Sequence, residues 1–263
     1  MIRIFRQIRY ELMNENNTGK LESRNGKYLK YAIGEIVLVV LGILIALQIN
    51  NWNEERKDDK ALKEYLGKIR SHTMKDLGKL DTLSLYRGQM ADLCKKARIR
   101  ILDKTEDEDL ILFMSCGVAF VDYYFKPNTG GYEALKNSNY FGKINNTPLD
   151  SLLTQYHNIV DDIAENEKSY NDYIVNQEAF LSTQFDLSLI LASAFMSQDS
   201  IRARATPQSE YIEDFKAYTA SAPYRNVISL AAFQFETMVV QYNQLKAVGL
   251  NVIQEIDVMM KEN

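Results

Sequence analysis

One long apolar run near the N-terminus dominates the hydrophobic pattern of this 263-residue chain. Residues 31–50 read YAIGEIVLVVLGILIALQIN, and only Glu35 and Gln48 interrupt the run before Asn50. A helix over residues 31–49, at about 1.5 Å per residue, is about 28 Å long, which is close to the thickness of the hydrocarbon core of a bilayer. The pattern therefore predicts a transmembrane helix at residues 28–51.

After this run, apolar residues recur every three or four positions, which is the period of one helix face. The pattern meets no proline before Pro127, so it predicts that the membrane helix continues to about residue 102. The polar residues 103–109 then predict a turn. Residues 110–125 are apolar on nearly all sides and too few to span a membrane, so they predict a buried core helix.

The second half of the chain is also predicted to be helical. Residues 126–146 hold three glycines and a proline and are typical of a loop. Thr147 and Pro148 then form a helix start, with an N-cap threonine and a proline at the first helical position. Further helices are expected at residues 187–196, between Pro207 and Pro223, and at residues 225–261. Because no strand-like alternation appears, the predicted fold class is all-α, with the transmembrane helix continuing into a helical bundle.

The charges around the apolar run predict its orientation. Residues 1–30 hold seven Lys and Arg against three Glu, whereas residues 51–60 hold three Lys and Arg. The positive-inside rule therefore places the N-terminus in the cytoplasm. An uncleaved signal-anchor is favoured over a cleaved signal peptide, because the run is longer than the usual stretch of about 7–15 residues and no A-x-A-like site follows it.

These observations predict an inner-membrane protein with three segments. Residues 1–27 form a basic amphipathic segment and a linker in the cytoplasm, residues 28–51 cross the membrane, and residues 52–263 form an all-α domain in the periplasm. Residues 51–263 carry 24 Lys and Arg against 31 Asp and Glu. An acidic domain argues against nucleic acid as a partner, because nucleic-acid surfaces are basic. Membrane lipid is the first predicted partner.

Glu35 is the one acidic residue inside the predicted membrane helix. It shares a helix face with Gly42 and Ala46, which form a small-x-x-x-small pattern that favours close helix packing. This face predicts pairing with a membrane-protein partner or a second copy of the chain. Two alternatives stay open: Glu35 reaches the headgroups, or it carries a proton, as in stator proteins that couple to ion flow.

The chain contains two cysteines, Cys94 and Cys116. They lie on opposite sides of the polar turn at similar distances from it, so an antiparallel hairpin would place them at one height. Facing helices are about 8–10 Å apart, which allows a disulfide, and the periplasm is oxidising. The alternative is a pair of buried, reduced thiols.

Other candidate chemistry is sparse. His157 and Asp161 lie four residues apart on one predicted helix, and they are interpreted as a surface ion pair rather than metal ligands. No catalytic, cofactor or metal motif is found. Aromatic residues around the loop form either a binding surface or a plug at the end of the bundle. They are Tyr124, Phe125, Tyr132, Tyr140 and Phe141.

The N-terminal sequence carries a family resemblance. MIRIFRQIR at residues 1–9 and KYLKYAIGEIVLVVLGILIALQINNWNEERK at residues 27–57 resemble the start of a large Bacteroidota family of single-pass envelope proteins, classed as a domain of unknown function. The resemblance continues more loosely at residues 129–153, TGGYEALKNSNYFGKINNTPLDSLL, and in the last helix. It implies an inner-membrane location and a helical periplasmic domain, and it carries no activity.

The pattern as a whole predicts a non-enzymatic scaffold or accessory subunit of an envelope complex. The alternative is a periplasmic ligand-binding sensor, which would relay its signal through a membrane partner because about 30 residues are too few for a cytoplasmic signalling domain. An enzyme or an energy coupler is the third hypothesis.

Overall fold

The computed structural model describes residues 24–105, 109–188, 190 and 208–262. Within these residues the structure contains helices and no strand, which confirms the all-α fold class. The expected N-terminal amphipathic segment and most of the expected helix at residues 187–196 lie outside the described residues. The six α-helices are α1 (Arg24–Asp103), α2 (Leu110–Cys116), α3 (Gly130–Lys136), α4 (Pro148–Gln184), α5 (Gln208–Ala220) and α6 (Ala222–Glu262).

Helix α1 is 80 residues long, which confirms that the apolar run continues as one helix beyond residue 100. Its end is a Schellman arrangement. The N–H of Thr105 donates to the carbonyl of Arg100 at 2.9 Å, and the N–H of Lys104 donates to the carbonyl of Ile101 at 3.4 Å. Lys104 has a φ of 57°, a left-handed conformation that glycine adopts at lower cost.

The chain divides into two units, residues 1–59 and residues 60–263. In the first unit, the apolar part of α1 is long and apolar enough to cross a membrane, and it is the one helix of the described residues with that property. None of this apolar segment is buried. Its large apolar side chains from Ile33 to Ile49 are 47–62% exposed.

In the second unit, the core lies between three long helices: the part of α1 after residue 60, α4 and α6. Helix α4 is antiparallel to α6, because Asn166 pairs with Gln241 and Tyr170 packs on Phe235. Helix α1 is also antiparallel to α6, because three ion pairs join them in opposite chain order. These are Arg70–Asp257, Asp81–Lys246 and Lys95–Glu236.

Helix α4 begins where the sequence predicts. The hydroxyl of Thr147 accepts the N–H of Asp150 at 3.4 Å, and Pro148 is the first helical residue, where its missing N–H costs nothing. The loop predicted at residues 126–146 is only partly correct, because it contains α3 and a short 3-10 helix at Phe141–Lys143.

The core helix predicted at residues 110–125 is wrong in its length and in its burial. Helix α2 ends at Cys116, a 3-10 helix covers Gly117–Phe120, and the chain then has no regular secondary structure. Ile111 is 78% exposed and Met114 is 44% exposed, so only one face of α2 is buried. The helix stops because the backbone groups that follow it bond to buried side chains of other helices.

Candidate functional site

Residues 121–128 form a segment without regular secondary structure, extended at Val121, that we call the strap. Such a segment has N–H and C=O groups that no intrahelical bond satisfies, and they must find partners when they are buried. In this protein the partners are side chains on α1 and α4. The strap is therefore the place where the buried polar side chains of the second unit converge.

The middle of the strap lies against four buried or largely buried polar side chains, which we call the polar centre: Arg87, Glu167, Asn171 and Tyr242. The carbonyl oxygen of Tyr123 accepts hydrogen bonds from Arg87 Nη2 at 3.3 Å and from Asn171 Nδ2 at 3.4 Å. Both side chains are at most 1% exposed. Nε of Arg87 and Oδ1 of Asn171 make no hydrogen bond to the described residues.

The carboxylate of Glu167 holds the next part of the strap. It accepts the N–H of Phe125 at 2.7 Å through Oε2, and it accepts the hydroxyl of Tyr242 at 2.5 Å through Oε1. Glu167 has no exposed surface. A buried carboxylate with two donors fixes its partners in place, because losing either bond leaves an unsatisfied group in a medium of low dielectric.

Burial also sets the charge behaviour of the polar centre. Loss of hydration raises the pKa of the Glu167 carboxyl, and the hydrogen bonds from Tyr242 and Phe125 and the charge of Arg87 oppose that rise. The guanidinium of Arg87 lies over the ring of Phe235, 4.3 Å from its centroid, which provides cation–π stabilisation. Arg87 and Glu167 therefore place a guanidinium and a carboxyl group in one buried site.

Asp76 of α1 holds the C-terminal end of the strap. Its two oxygens accept the N–H of Asn128 at 2.9 and 3.1 Å, and one of them accepts Nδ2 of Asn128 at 2.5 Å. The hydroxyl of Tyr156 and the ammonium of Lys79 also donate to this carboxylate, at 3.3 and 3.2 Å. Asp76 is 1% exposed. Helix α1 thus bonds to the strap at Tyr123 and Asn128, and α4 bonds to it at Tyr123 and Phe125.

The strap leads into α3 through a close backbone approach. The N–H of Gly131 donates to Nδ1 of His72 at 3.2 Å. A Cβ atom at Gly131 would lie 3.1 Å from the backbone nitrogen of Ile69. Any larger residue would push α3 away from α1, so the glycine lets α3 pack there.

The sequence analysis missed these strap-binding residues, although their positions carry a signal. Arg87 lies seven residues after Leu80 and seven before Cys94, on the same buried stripe of α1. Glu167 lies between Ile163 and Tyr170 on the buried stripe of α4. A charged residue in register with an apolar stripe predicts a buried, bonded charge.

Four of the five aromatic candidates pack against the core. Phe125 is 5% exposed, the ring of Tyr140 packs on Tyr65 at 6.0 Å, and Phe141 is half-buried. Tyr132 stacks on His157 with its ring centroid 4.1 Å away. The fifth candidate, Tyr124, is 44% exposed. Four of the five rings therefore contribute to packing, and Tyr124 is left at the surface.

His157 packs in an aromatic cluster. Its ring stacks on Tyr132 and makes an edge contact with Tyr156. The ion pair with Asp161 stays a prediction. Burial lowers the pKa of His157, and the negative charges of Glu133 and Asp161 partly oppose this shift. Among the described residues, no group of three or more His, Cys, Asp or Glu side chains is placed to hold a metal ion.

The two cysteines lie side by side. Cys94 and Cys116 have no exposed surface, and both are free thiols in the structure. The thiol of Cys116 shares a hydrogen bond with Cys94, and this bond together with burial raises the pKa of the Cys94 thiol. The two cysteines, which the sequence predicts to lie at the same height in the hairpin, are therefore in direct contact.

The candidate face of the apolar segment of α1 is exposed. Glu35, Gly42 and Ala46 are exposed, and a Cβ atom added at Gly42 would meet no atom within 4 Å. On a helix, residues separated by seven or eleven positions lie close to one face, so these three side chains are aligned. No described residue of the first unit covers them.

Comparison with known proteins gives a family and no activity. No curated protein and no solved structure matches the chain. A family model matches residues 35–202, which begin at Glu35 and include the strap, both cysteines and α4. The chain therefore belongs to the family described as Family of unknown function (DUF6090).

Proposed function

We propose that this chain is a single-pass inner-membrane protein that acts by binding, as a scaffold or accessory subunit of an envelope complex. The observation that carries the proposal is the exposure of the large apolar side chains from Ile33 to Ile49, at 47–62%. A continuous apolar surface of this kind is stable only when lipid or another protein covers it. The apolar segment is therefore an anchor.

The orientation rests on charge. Residues 1–30 carry seven Lys and Arg against three Glu, whereas residues 51–60, directly after the anchor, carry three Lys and Arg against four Asp and Glu. Positive residues stay in the cytoplasm, so residues 52–263 lie in the periplasm. Trp52 is 65% exposed at the end of the anchor, where an aromatic side chain suits the membrane–water interface.

The partner binds the face that contains Glu35, Gly42 and Ala46. Small residues four positions apart let a second helix approach closely, and Glu35 supplies a hydrogen-bond acceptor in a medium that offers few others. A carboxylate in this position gains more from a donor on a partner helix than from lipid chains. The face therefore selects a membrane protein with a polar donor near the cytoplasmic end of its helix.

The second unit supports binding over catalysis. Its buried charged side chains Asp76 and Glu167 each accept backbone N–H groups of the strap, and Arg87 donates to a strap carbonyl. Groups engaged in this way fix the shape of a domain rather than react with a substrate. A domain with a fixed shape suits a scaffold.

The proposal is tested by isolating the full-length protein from its native membrane in mild detergent after in-cell crosslinking, with identification of bound proteins by mass spectrometry. We expect a reproducible stoichiometric partner that Gly42→Leu abolishes. Gly34→Leu is the matched control. A Cβ atom at Gly34 would also meet no atom within 4 Å, but Gly34 lies about 80° around the helix from Gly42. Self-crosslinked copies alone, or a bare monomer, would contradict the accessory-subunit proposal.

Variants of Glu35 define the role of its charge. Glu35→Gln retains a hydrogen-bond acceptor, so we expect it to keep the partner, whereas Glu35→Leu loses it. A pH-dependent cellular phenotype that disappears in Glu35→Gln would point to proton coupling instead of helix pairing.

A sensor is the second candidate, and one observation favours it. Helix α1 carries both the anchor and the strap-binding residues Asp76 and Arg87, so a ligand that alters the strap acts on the same helix that crosses the membrane. Tight binding of a small molecule to the full-length protein in detergent, with protection of the strap from proteolysis, would favour the sensor over the scaffold.

A further inference from the structure

Hydrogen bonds fix the end of α1 and the start of α2. Helix α1 ends at Asp103 with two Schellman hydrogen bonds, and the side chain of Asp109 accepts the N–H of Leu112 at 3.2 Å to begin α2. Cys94 lies nine residues before Asp103, and Cys116 lies seven residues after Asp109. At about 1.5 Å per residue, the two cysteines lie at similar depths in the hairpin.

The polar groups near the two thiols already have other partners. Tyr170 and Tyr224 approach the pair, but the hydroxyl of Tyr170 donates to the carbonyl of Ala119 at 2.7 Å and that of Tyr224 donates to the carbonyl of Phe113 at 2.6 Å. Both sulfur atoms are fully buried. Two buried cysteines that share a hydrogen bond are neighbours from which a disulfide can form in an oxidising compartment.

We propose that Cys94 and Cys116 are joined by a disulfide in the mature protein, formed by exchange with the disulfide of a thiol–disulfide oxidoreductase in the periplasm. This inference rests on the proposed export of residues 52–263. One cysteine thiolate attacks the carrier disulfide to give a mixed disulfide, and the second thiolate then displaces the carrier. Two electrons pass to the carrier, which leaves as a dithiol, and the two protons of the cysteines are released to solvent and taken up by the carrier thiols.

Burial fixes when this exchange takes place. The thiolate is the attacking species, and the folded protein both hides the pair and disfavours its ionisation. A carrier protein reaches the pair only before α2 closes on α1. The bridge is therefore installed during folding, and it then ties α2 to α1 directly before the strap.

The test uses the full-length protein in its native membrane. Cells are quenched with acid, the protein is denatured, and free thiols are labelled with a maleimide of high mass, with or without prior reduction. Because the chain has two cysteines, we expect no label before reduction and two labels after it, on a band that stays monomeric without reductant. Two labels without reduction, or a disulfide-linked dimer, would overturn the proposal.

Leu85→Cys in the otherwise native chain separates this proposal from the proposed location. Leu85 is 65% exposed, so its replacement adds an accessible thiol without disturbing the buried pair. In spheroplasts, a membrane-impermeant maleimide is expected to add one label to this variant and none to the native chain. An external label on Leu85→Cys together with a reduced native pair would overturn the disulfide alone. No external label on Leu85→Cys would overturn the periplasmic location and the disulfide with it.

Discussion

The carboxylate of Glu167 accepts the backbone N–H of Phe125 at 2.7 Å, and the same carboxylate accepts the hydroxyl of Tyr242. One buried side chain of α4 thus bonds to the strap and to α6. Arg87 of α1 bonds to the strap two residues earlier, at Tyr123. These contacts bond the strap to α1 and α4, and through Glu167 they link it to α6.

Removing the Glu167 carboxylate is expected to destabilise the protein strongly. Glu167→Leu leaves the N–H of Phe125 and the hydroxyl of Tyr242 unpaired and the buried Arg87 without a countercharge, which costs about 3–5 kcal/mol. Glu167→Gln keeps one carbonyl acceptor and is expected to cost about 1–3 kcal/mol. Urea unfolding in detergent measures the free energy of unfolding of both variants. The control is Glu165→Gln, on an exposed face of the same helix; a loss equal to that of Glu167→Gln would contradict the role of the buried bonds.

Lys104→Gly is expected to stabilise the protein. Lys104 has a φ of 57° at the end of α1, where glycine has no Cβ penalty. The expected gain in the free energy of unfolding is about 0.5–1 kcal/mol. Lys104→Ala keeps the Cβ atom and tests whether loss of the lysine side chain alone has an effect. An equal gain in the two variants would show that the backbone conformation is not the cause.

Stability is expected to fall as the pH drops below the ordinary pKa of histidine, 6.5, because burial lowers the pKa of His157 in the folded state. The unfolded chain then binds a proton that the folded chain does not, so the stability present at neutral pH is lost as the pH falls from 6.5 towards the folded pKa. His157→Phe keeps the stack on Tyr132 and removes the titration.

Thermal unfolding between about pH 5 and pH 8 compares His157→Phe with the native chain. The variant is expected to lose less stability on acidification, while other groups titrate equally in both proteins. Identical slopes for the two proteins would exclude His157 as a source of the pH dependence.

The neighbouring residues Tyr124 and Phe125 are expected to respond differently to truncation. Phe125 is 5% exposed, so Phe125→Ala removes core packing and costs about 3–5 kcal/mol. Tyr124 is 44% exposed, so Tyr124→Ala changes stability by about 0.5 kcal/mol or less. Denaturant midpoints test this difference. A large loss in Tyr124→Ala would mean that the whole aromatic group is structural, and retained stability with a lost partner would make Tyr124 a binding residue.

The long helices could be predicted from the sequence because their signals are local. The apolar period of α1 and the Thr147–Pro148 start of α4 need no knowledge of neighbouring elements. The contact of Cys94 with Cys116 follows from their equal distances to one polar turn. Whether the two are bridged stays a prediction.

The strap could not be predicted in the same way. Residues 110–125 have the composition of a buried helix, but Arg87 and Glu167 are among the distant side chains that bond to the backbone after residue 120 instead. Those partners lie 36 and 42 residues away along the chain from the groups they bond. Secondary structure that depends on such long-range bonds leaves no periodic signal.

Site-specific photo-crosslinking along the anchor tests the proposed binding face most directly. A photoreactive residue is placed in turn at Leu38, Ile45 and Ile49, on the face of Gly42, and at Val40 and Leu44, on the opposite face, and each full-length protein is irradiated in its native membrane. Binding through the proposed face predicts one protein adduct from the first three positions and none from the other two. Equal adducts from both faces, or lipid adducts alone at all five positions, would contradict it.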